Sequence, residues 1–164
     1  LSGNSASSVG GIYNVLSGPN GSATVTIGDT VLNAGATGAN IGNNSGTINS
    51  HGYNLSSDDA STFLNQTGDQ NSTDPILGSL QNNGGSTFTH ALLVGSPAID
   101  MGNPNFIPPP NYDQRGPGFD RVVNGRIDIG AFEVQAPTPT PTATATATAT
   151  FTPTPTPTPT ATAT

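Results

Sequence analysis

Glycine and asparagine punctuate this chain so constantly that good helix formers at 3.6-residue spacing are hard to find anywhere in it. Short strands between tight turns are what such punctuation permits, and the expected fold class is all-β. The pattern then stops. From Thr138 to Thr164 every second residue is threonine, alternating with proline or alanine, and Phe151 is the one exception. Such a segment buries almost nothing to offset the entropy of ordering, so residues 137–164 are expected to be an extended, solvated linker. Residues 1 to about 136 are left for a single domain with a modest core.

Charge narrows the partners. The formal net charge is -7, there is no lysine, and only Arg115, Arg121 and Arg126 are positive. Nucleic-acid phosphates and anionic lipid both call for a basic surface, so neither is an expected partner. No apolar run approaches the ~18 residues of a membrane span. Cysteine is absent. With the Thr/Pro/Ala segment, that suits an extracellular or cell-surface protein whose fold does not depend on disulfides. The chain starts at Leu1 and breaks off in "TATAT", and it is read as a fragment whose export signal and anchor lie outside it.

A repeat is visible in the first half. "YNV" at 13–15, "LNA" at 32–34 and "YNL" at 53–55 place Asn14, Asn33 and Asn54 at offsets of 19 and 21, and Thr26-Ile27 recurs as Thr47-Ile48 at the same offset of 21. A period near 20 with strand-like segments and Gly/Asn turns is the requirement of a β-solenoid. Stacked turns would ladder the asparagines, with Val25, Ile27, Ile48 and Leu55 facing inward. On this reading residues 1–57 are the last coils and residues 58–136 a closing region of the same domain. Within it, "NNGG" at 82–85 marks a turn, and Ala91-Leu92-Leu93-Val94 and Ala98-Ile99 are expected to cover the open end of the stack.

Four stretches in order, "NSHGYNLSSD", "STDPILGSLQNNGGSTFTHALLVGSPAIDMGN", "DQRG" and "RIDIGAFE", resemble the C-terminal part of bacterial surface proteins of the choice-of-anchor Q type. That resemblance covers residues 10 to 134 and implies a right-handed parallel β-helix, similar in fold to the pectin lyases. It implies no reaction and assigns no catalytic or cofactor-binding residue. "NPNFIPPPNY" at 103–112 departs from the pattern as a Pro-rich insertion.

Residues 113–133, "DQRGPGFDRVVNGRIDIGAFE", hold all three arginines and four of the ten carboxylates. Asp100, Asp113, Asp120 and Asp128 are candidate hard-oxygen ligands for calcium, but their spacing matches neither an EF-hand nor a nonapeptide array. The preferred reading is a clasp. Arg115 and Arg126 would bridge carboxylates or cap loop carbonyls, Asp113 and Asp128 would accept backbone N–H groups, and "IDIGAFE" would be a last strand, with Ile127, Ile129 and Ala131 on one face. His51 and His90 lie 39 residues apart with no second His or Cys beside them and read as structural. Ser56, Ser57 and Asp58 lack a base for a triad. The sequons at Asn20, Asn43, Asn54, Asn65 and Asn71 mean little in so Ser/Thr/Asn-rich a chain. The expected function is a non-enzymatic rod contacting carbohydrate or a neighbouring cell surface. The competing class is a polysaccharide lyase or glycoside hydrolase with its catalytic coils before Leu1.

Overall fold

The computed structural model describes residues 1–18 and 20–136, so the Thr/Pro/Ala segment lies outside the described residues. Among these the fold is all-β, as the punctuation predicts. The nine short strands are β1 (Ser2–Asn4), β2 (Val9–Val15), β3 (Thr24–Ile27), β4 (Val31–Ala34), β5 (Ala39–Asn44), β6 (Thr47–Ser50), β7 (Leu55–Ser56), β8 (Leu77–Gln81) and β9 (Thr89–Leu92). They form small sheets ordered β1-β4-β7, β2-β5, β3-β6 and β8-β9. Only the β8-β9 pair is antiparallel; all the others are parallel.

Register differs from the sequence repeat. Partners lie 30 to 31 residues apart in β1-β4, 29 to 30 in β2-β5, 23 in β3-β6 and 24 in β4-β7. Thr26 and Ile27 therefore pair with Asn49 and Ser50, not with Thr47 and Ile48; Thr47 faces Thr24 and Ile48 faces Val25. Part of the variation is a bulge in β2, where Gly10 and Gly11, between Val9 and Ile12, face the single residue Asn40 between Ala39 and Ile41. Gly11 makes room for it, because a Cβ there would overlap the Asn40 carbonyl oxygen.

The three repeated asparagines do not stack on one another. Asn14 lies in β2 beside Asn43, donating to its Oδ1 at 3.0 Å and to the carbonyls of Thr47 and Ala23 at 3.0 and 3.2 Å. Asn33 donates to Ser2 Oγ at 3.2 Å. Asn54 is fully buried, accepts from Thr30 N–H at 3.1 Å and donates to Ser50 Oγ and Asp69 Oδ1, each at 2.9 Å. Each amide satisfies loop backbone or a neighbouring hydroxyl, which an isolated x-Asn-x motif does not distinguish from a ladder.

Sheet β1-β4-β7 separates two cores. Adjacent residues on a strand point to opposite faces. Accordingly Leu32 packs with Ile27, Ile41, Ala60 and Leu64, and Ile12, Val25 and Ile48 lean on the same cluster. Val31 and Leu55 point the other way and pack with Leu92, Ala98 and Ile129. The inward placement of Val25, Ile27 and Ile48 holds, whereas Leu55 belongs to the second core. The Leu92 and Ala98-Ile99 stretches thus cover a face of this sheet rather than the end of a stack, and Val94 is left fully exposed. Closure of the first core falls to a helical turn at 60–64, where Phe63 and Leu64 N–H groups both donate to the Ala60 carbonyl at 2.8 Å and Leu64 is buried.

Candidate functional site

Loops 97–103 and 111–134 have almost no sheet partners, so their buried backbone groups must be paired by side chains. Asp113 starts that work. Its Oδ1 accepts the Arg115 N–H at 2.7 Å, which fixes the turn, and its Oδ2 accepts the Glu133 N–H at 2.8 Å. The Arg115 fork returns to the same carboxylate, with Nη2 2.6 Å from Oδ2 and Nε 3.0 Å from it. Nη2 also donates to the Glu133 carbonyl at 2.5 Å. The guanidinium lies against two aromatic rings, 3.9 Å from the Phe119 centroid and 3.8 Å from that of Phe132. A planar, weakly hydrated cation is suited to that position; an ammonium is not.

Glu133 and Asp128 form the second half. Glu133 is fully buried: Oε2 accepts the Asp128 N–H at 2.8 Å and Oε1 the Val123 N–H at 3.3 Å. Its ion pair with Arg121 is long, at 3.4 Å. Burial therefore outweighs the donors, and the Glu133 carboxyl is pushed up from 4.5 to about 7. Asp128, almost fully buried, accepts the Asp100 and Val134 N–H groups at 2.7 and 2.6 Å. Burial raises its pKa too, helped by the nearby Asp100 charge. Arg126 pairs with no carboxylate; its Nε and Nη2 cap the Gly102 and Met101 carbonyls at 2.6 and 3.1 Å.

"IDIGAFE" is not a strand, which corrects the sequence reading. Ile127, Asp128 and Ile129 are all buried despite the alternation, and Gly130 has φ +107°, a left-handed geometry that ends any extended run. Carboxylates from Asp113, Asp128 and Glu133 serve the N–H groups that a neighbouring strand would have served.

Of the four aspartates weighed as calcium ligands, Asp100 and Asp128 are neighbours. Asp113 and Asp128 are occupied as described. Asp100 faces Asp128 through its N–H and accepts from Asn124 Nδ2 at 3.4 Å, while Asp120 is exposed. Among the described residues no group of three or more His, Cys, Asp or Glu is arranged to hold a metal ion. His90 Nδ1 lies 2.7 Å from the Gly78 carbonyl, and His51 is exposed. Ser56 donates to Asp58 Oδ1 at 2.7 Å, Asp58 Oδ2 accepts the Asn40 N–H at 2.8 Å and Ser57 Oγ accepts the Ala34 N–H at 2.8 Å, so this trio braces β4, β5 and β7. Sequence reasoning missed Arg121 as a clasp member and both phenylalanines against Arg115. The nearest signal was Phe119, four residues after Arg115 and two before Arg121, in a chain poor in aromatics and in charge.

A separate apolar cleft of about 240 Å³ lies between the β8-β9 hairpin, the start of β1 and residues 129–132. Leu77, Leu80, Phe88, Leu92, Ile129 and Phe132 line it, and Leu80 and Phe88 are 57 and 63 % exposed at its rim. None of the described helical turns is long and apolar enough to cross a membrane. Comparisons with protein-family models, curated proteins and solved structures found no match to this chain.

Proposed function

We propose that the chain is the C-terminal end of a right-handed parallel β-helix from a secreted or surface-attached protein, and that its work is structural. Carrying this reading is the order of pairing: β1, β2 and β3 pair in parallel, in sequence, with β4, β5 and β6, and β4 pairs on to β7. Successive turns of one coil produce that order, and parallel crossovers are right-handed in about 98% of cases. The motif resemblance to choice-of-anchor Q surface proteins supports the same reading. A rod of this kind presents long lateral faces to carbohydrate or to a neighbouring cell surface, and the clasp ties its last loops down. The clasp carboxylates fit a structural role because their oxygens already accept N–H groups.

The test is to present the purified chain to a panel of cell-surface polysaccharides and to assay the same mixtures for new reducing or unsaturated sugar ends. Saturable retention without new ends is expected. Release of ends would replace this reading with a carbohydrate-active enzyme, and no retention on any surface would remove the adhesive role.

A further inference from the structure

Another cleft, of about 350 Å³, opens among the clasp loops, and its walls come wholly from residues 110–131. Its size falls in the range of roughly 300–1,000 Å³ typical of small-molecule sites. We propose that it binds a neutral sugar ring, with Tyr112 as apolar wall, Arg121 as hydrogen-bond donor and Gln114 as acceptor. The inference rests on the carbohydrate-contact reading and gives that contact a place.

Arg121 is the residue that calls for a ligand. It is 7 % exposed, yet its five N–H donors make two contacts, both long, at 3.4 Å to Glu133 Oε2 and 3.2 Å to the Asp128 carbonyl. Nε has no acceptor among the described residues. Arg115 is the contrast, with all three guanidinium nitrogens bonded. A donor so enclosed has little water to turn to, and an oxygen arriving in the cleft takes that place. Gln114 has the opposite need. Its Nε2 donates to Thr87 Oγ1 at 3.0 Å, and Oε1 receives no donor among the described residues. Asp113, in the same wall, already has both oxygens filled by Arg115 and the Glu133 N–H. The ligand must therefore accept from Arg121 and donate to Gln114, which a hydroxyl does and a carboxylate or phosphate does not. Charge agrees: residues 113–133 set four carboxylates against three guanidiniums, so no net positive field draws in an anion. Tyr112, 41 % exposed, and Pro110 supply an apolar wall for ring C–H groups. An apolar face edged by hydroxyls that both donate and accept describes a pyranose.

Saturation-transfer NMR on the full chain reads the site, with the methyl glycosides of glucose, galactose, mannose and N-acetylglucosamine as probes. Glucuronate and an acetylated dipeptide amide are the anionic and peptide comparisons. Transfer to at least one neutral glycoside is expected, strongest at ring C–H protons. Tyr112→Ala and Gln114→Leu, both at exposed positions, are each expected to weaken binding about tenfold. Thr87→Val, which removes the Gln114 Nε2 contact but keeps its acceptor, is expected to leave binding nearly unchanged. Transfer to no neutral glycoside, equal transfer in folded Tyr112→Ala and Gln114→Leu, or stronger transfer to glucuronate or the dipeptide would overturn the proposal. Polysaccharide retention that both variants keep would dismiss this cleft and leave the rod's contact elsewhere. Glycoside binding that depends on Tyr112, without polysaccharide retention, would keep the cleft and dismiss the adhesive rod.

Discussion

Replacing Glu133 with glutamine changes one atom at the most enclosed charge in the fold. Glu133 is fully buried, its two backbone donors lie at 2.8 and 3.3 Å, and its only cation stands off at 3.4 Å. Burial therefore controls its titration and raises the pKa from 4.5 to about 7. The sign follows from proton counting. A carboxyl that holds its proton more tightly in the folded than in the unfolded state makes the folded state the better proton binder between the two pKa values. Stability is then highest below pH 4.5, falls as pH rises through the window to about 7, and levels off above it. At ~1.4 kcal/mol per unit the fall is about 3 kcal/mol, a large part of the stability of a small domain.

Glutamine keeps the shape and one acceptor but cannot ionise, so Glu133→Gln stands in for the protonated acid at every pH. Urea unfolding of the full chain, followed by far-ultraviolet circular dichroism at steps across the window, measures the difference. Wild-type protein is expected to lose about 3 kcal/mol and the variant little of it, with the two curves closest at the acid end. Asp128 and Asp29 are also raised by burial from 3.8, so they contribute a fall of the same sign in both proteins. A wild-type stability that is level or rising from pH 4.5 to 7, or a variant that keeps the whole fall, would refute the burial argument.

Other parts of the fold give shorter tests. Thr24 and Thr47 are register partners and both exposed, so Thr24→Cys/Thr47→Cys is expected to oxidise readily and to add about 3 kcal/mol. Thr26→Cys/Thr47→Cys, the pairing implied by the 21-residue repeat, should oxidise poorly; mass spectrometry of the two distinguishes the registers. Arg115→Lys removes the fork and the contact with both phenylalanine rings while leaving Asp113 buried, at a cost of about 3 kcal/mol in urea unfolding; a near-zero cost would dismiss the clasp. Leu64→Ala opens the closure of the first core and should cost about 3 kcal/mol by the same assay. Calcium is expected to leave the thermal midpoint of the full chain unmoved, because Asp113 and Asp128 are already engaged; a clear rise would return the polysaccharide-lyase reading.

Architecture was legible in the sequence to different depths. Gly/Asn punctuation was enough for the all-β class, since it removes helix-length runs whatever the tertiary context. Inward Val25, Ile27 and Ile48 could be approached from β-branched residues in short runs. Register could not. The spacing of partners runs from 23 to 31 residues because the connections between strands differ in length and β2 carries a bulge at Gly10-Gly11. A fixed period in the letters therefore tracks a local x-Asn-x motif, not the pairing. "RIDIGAFE" failed for a related reason: Ile-Asp-Ile alternates as a strand does, but Asp128 is buried because it serves the backbone N–H groups of Asp100, in another loop, and of Val134, further along its own.

The uneven use of charge across the chain follows from the same requirement. Parallel ladders satisfy most of their own N–H and C=O groups, so β1 to β7 and their turns manage with amides, hydroxyls and aspartates and contain no arginine. Loops 97–103 and 111–134 cannot pair in this way, and a carboxylate with four acceptor sites, or a guanidinium with five donors, is the most economical way to satisfy several backbone groups at once. All three arginines accordingly fall in that region and donate to carboxylates or carbonyls there. A catalytic carboxylate has the opposite need, because it must keep an oxygen open to substrate. Asp113, Asp128 and Glu133 each offer both oxygens to donors from the chain itself. Charge density in a sequence otherwise poor in charge thus marks where the backbone lacks a sheet partner, and the chemistry of the segment is that of holding its own loops.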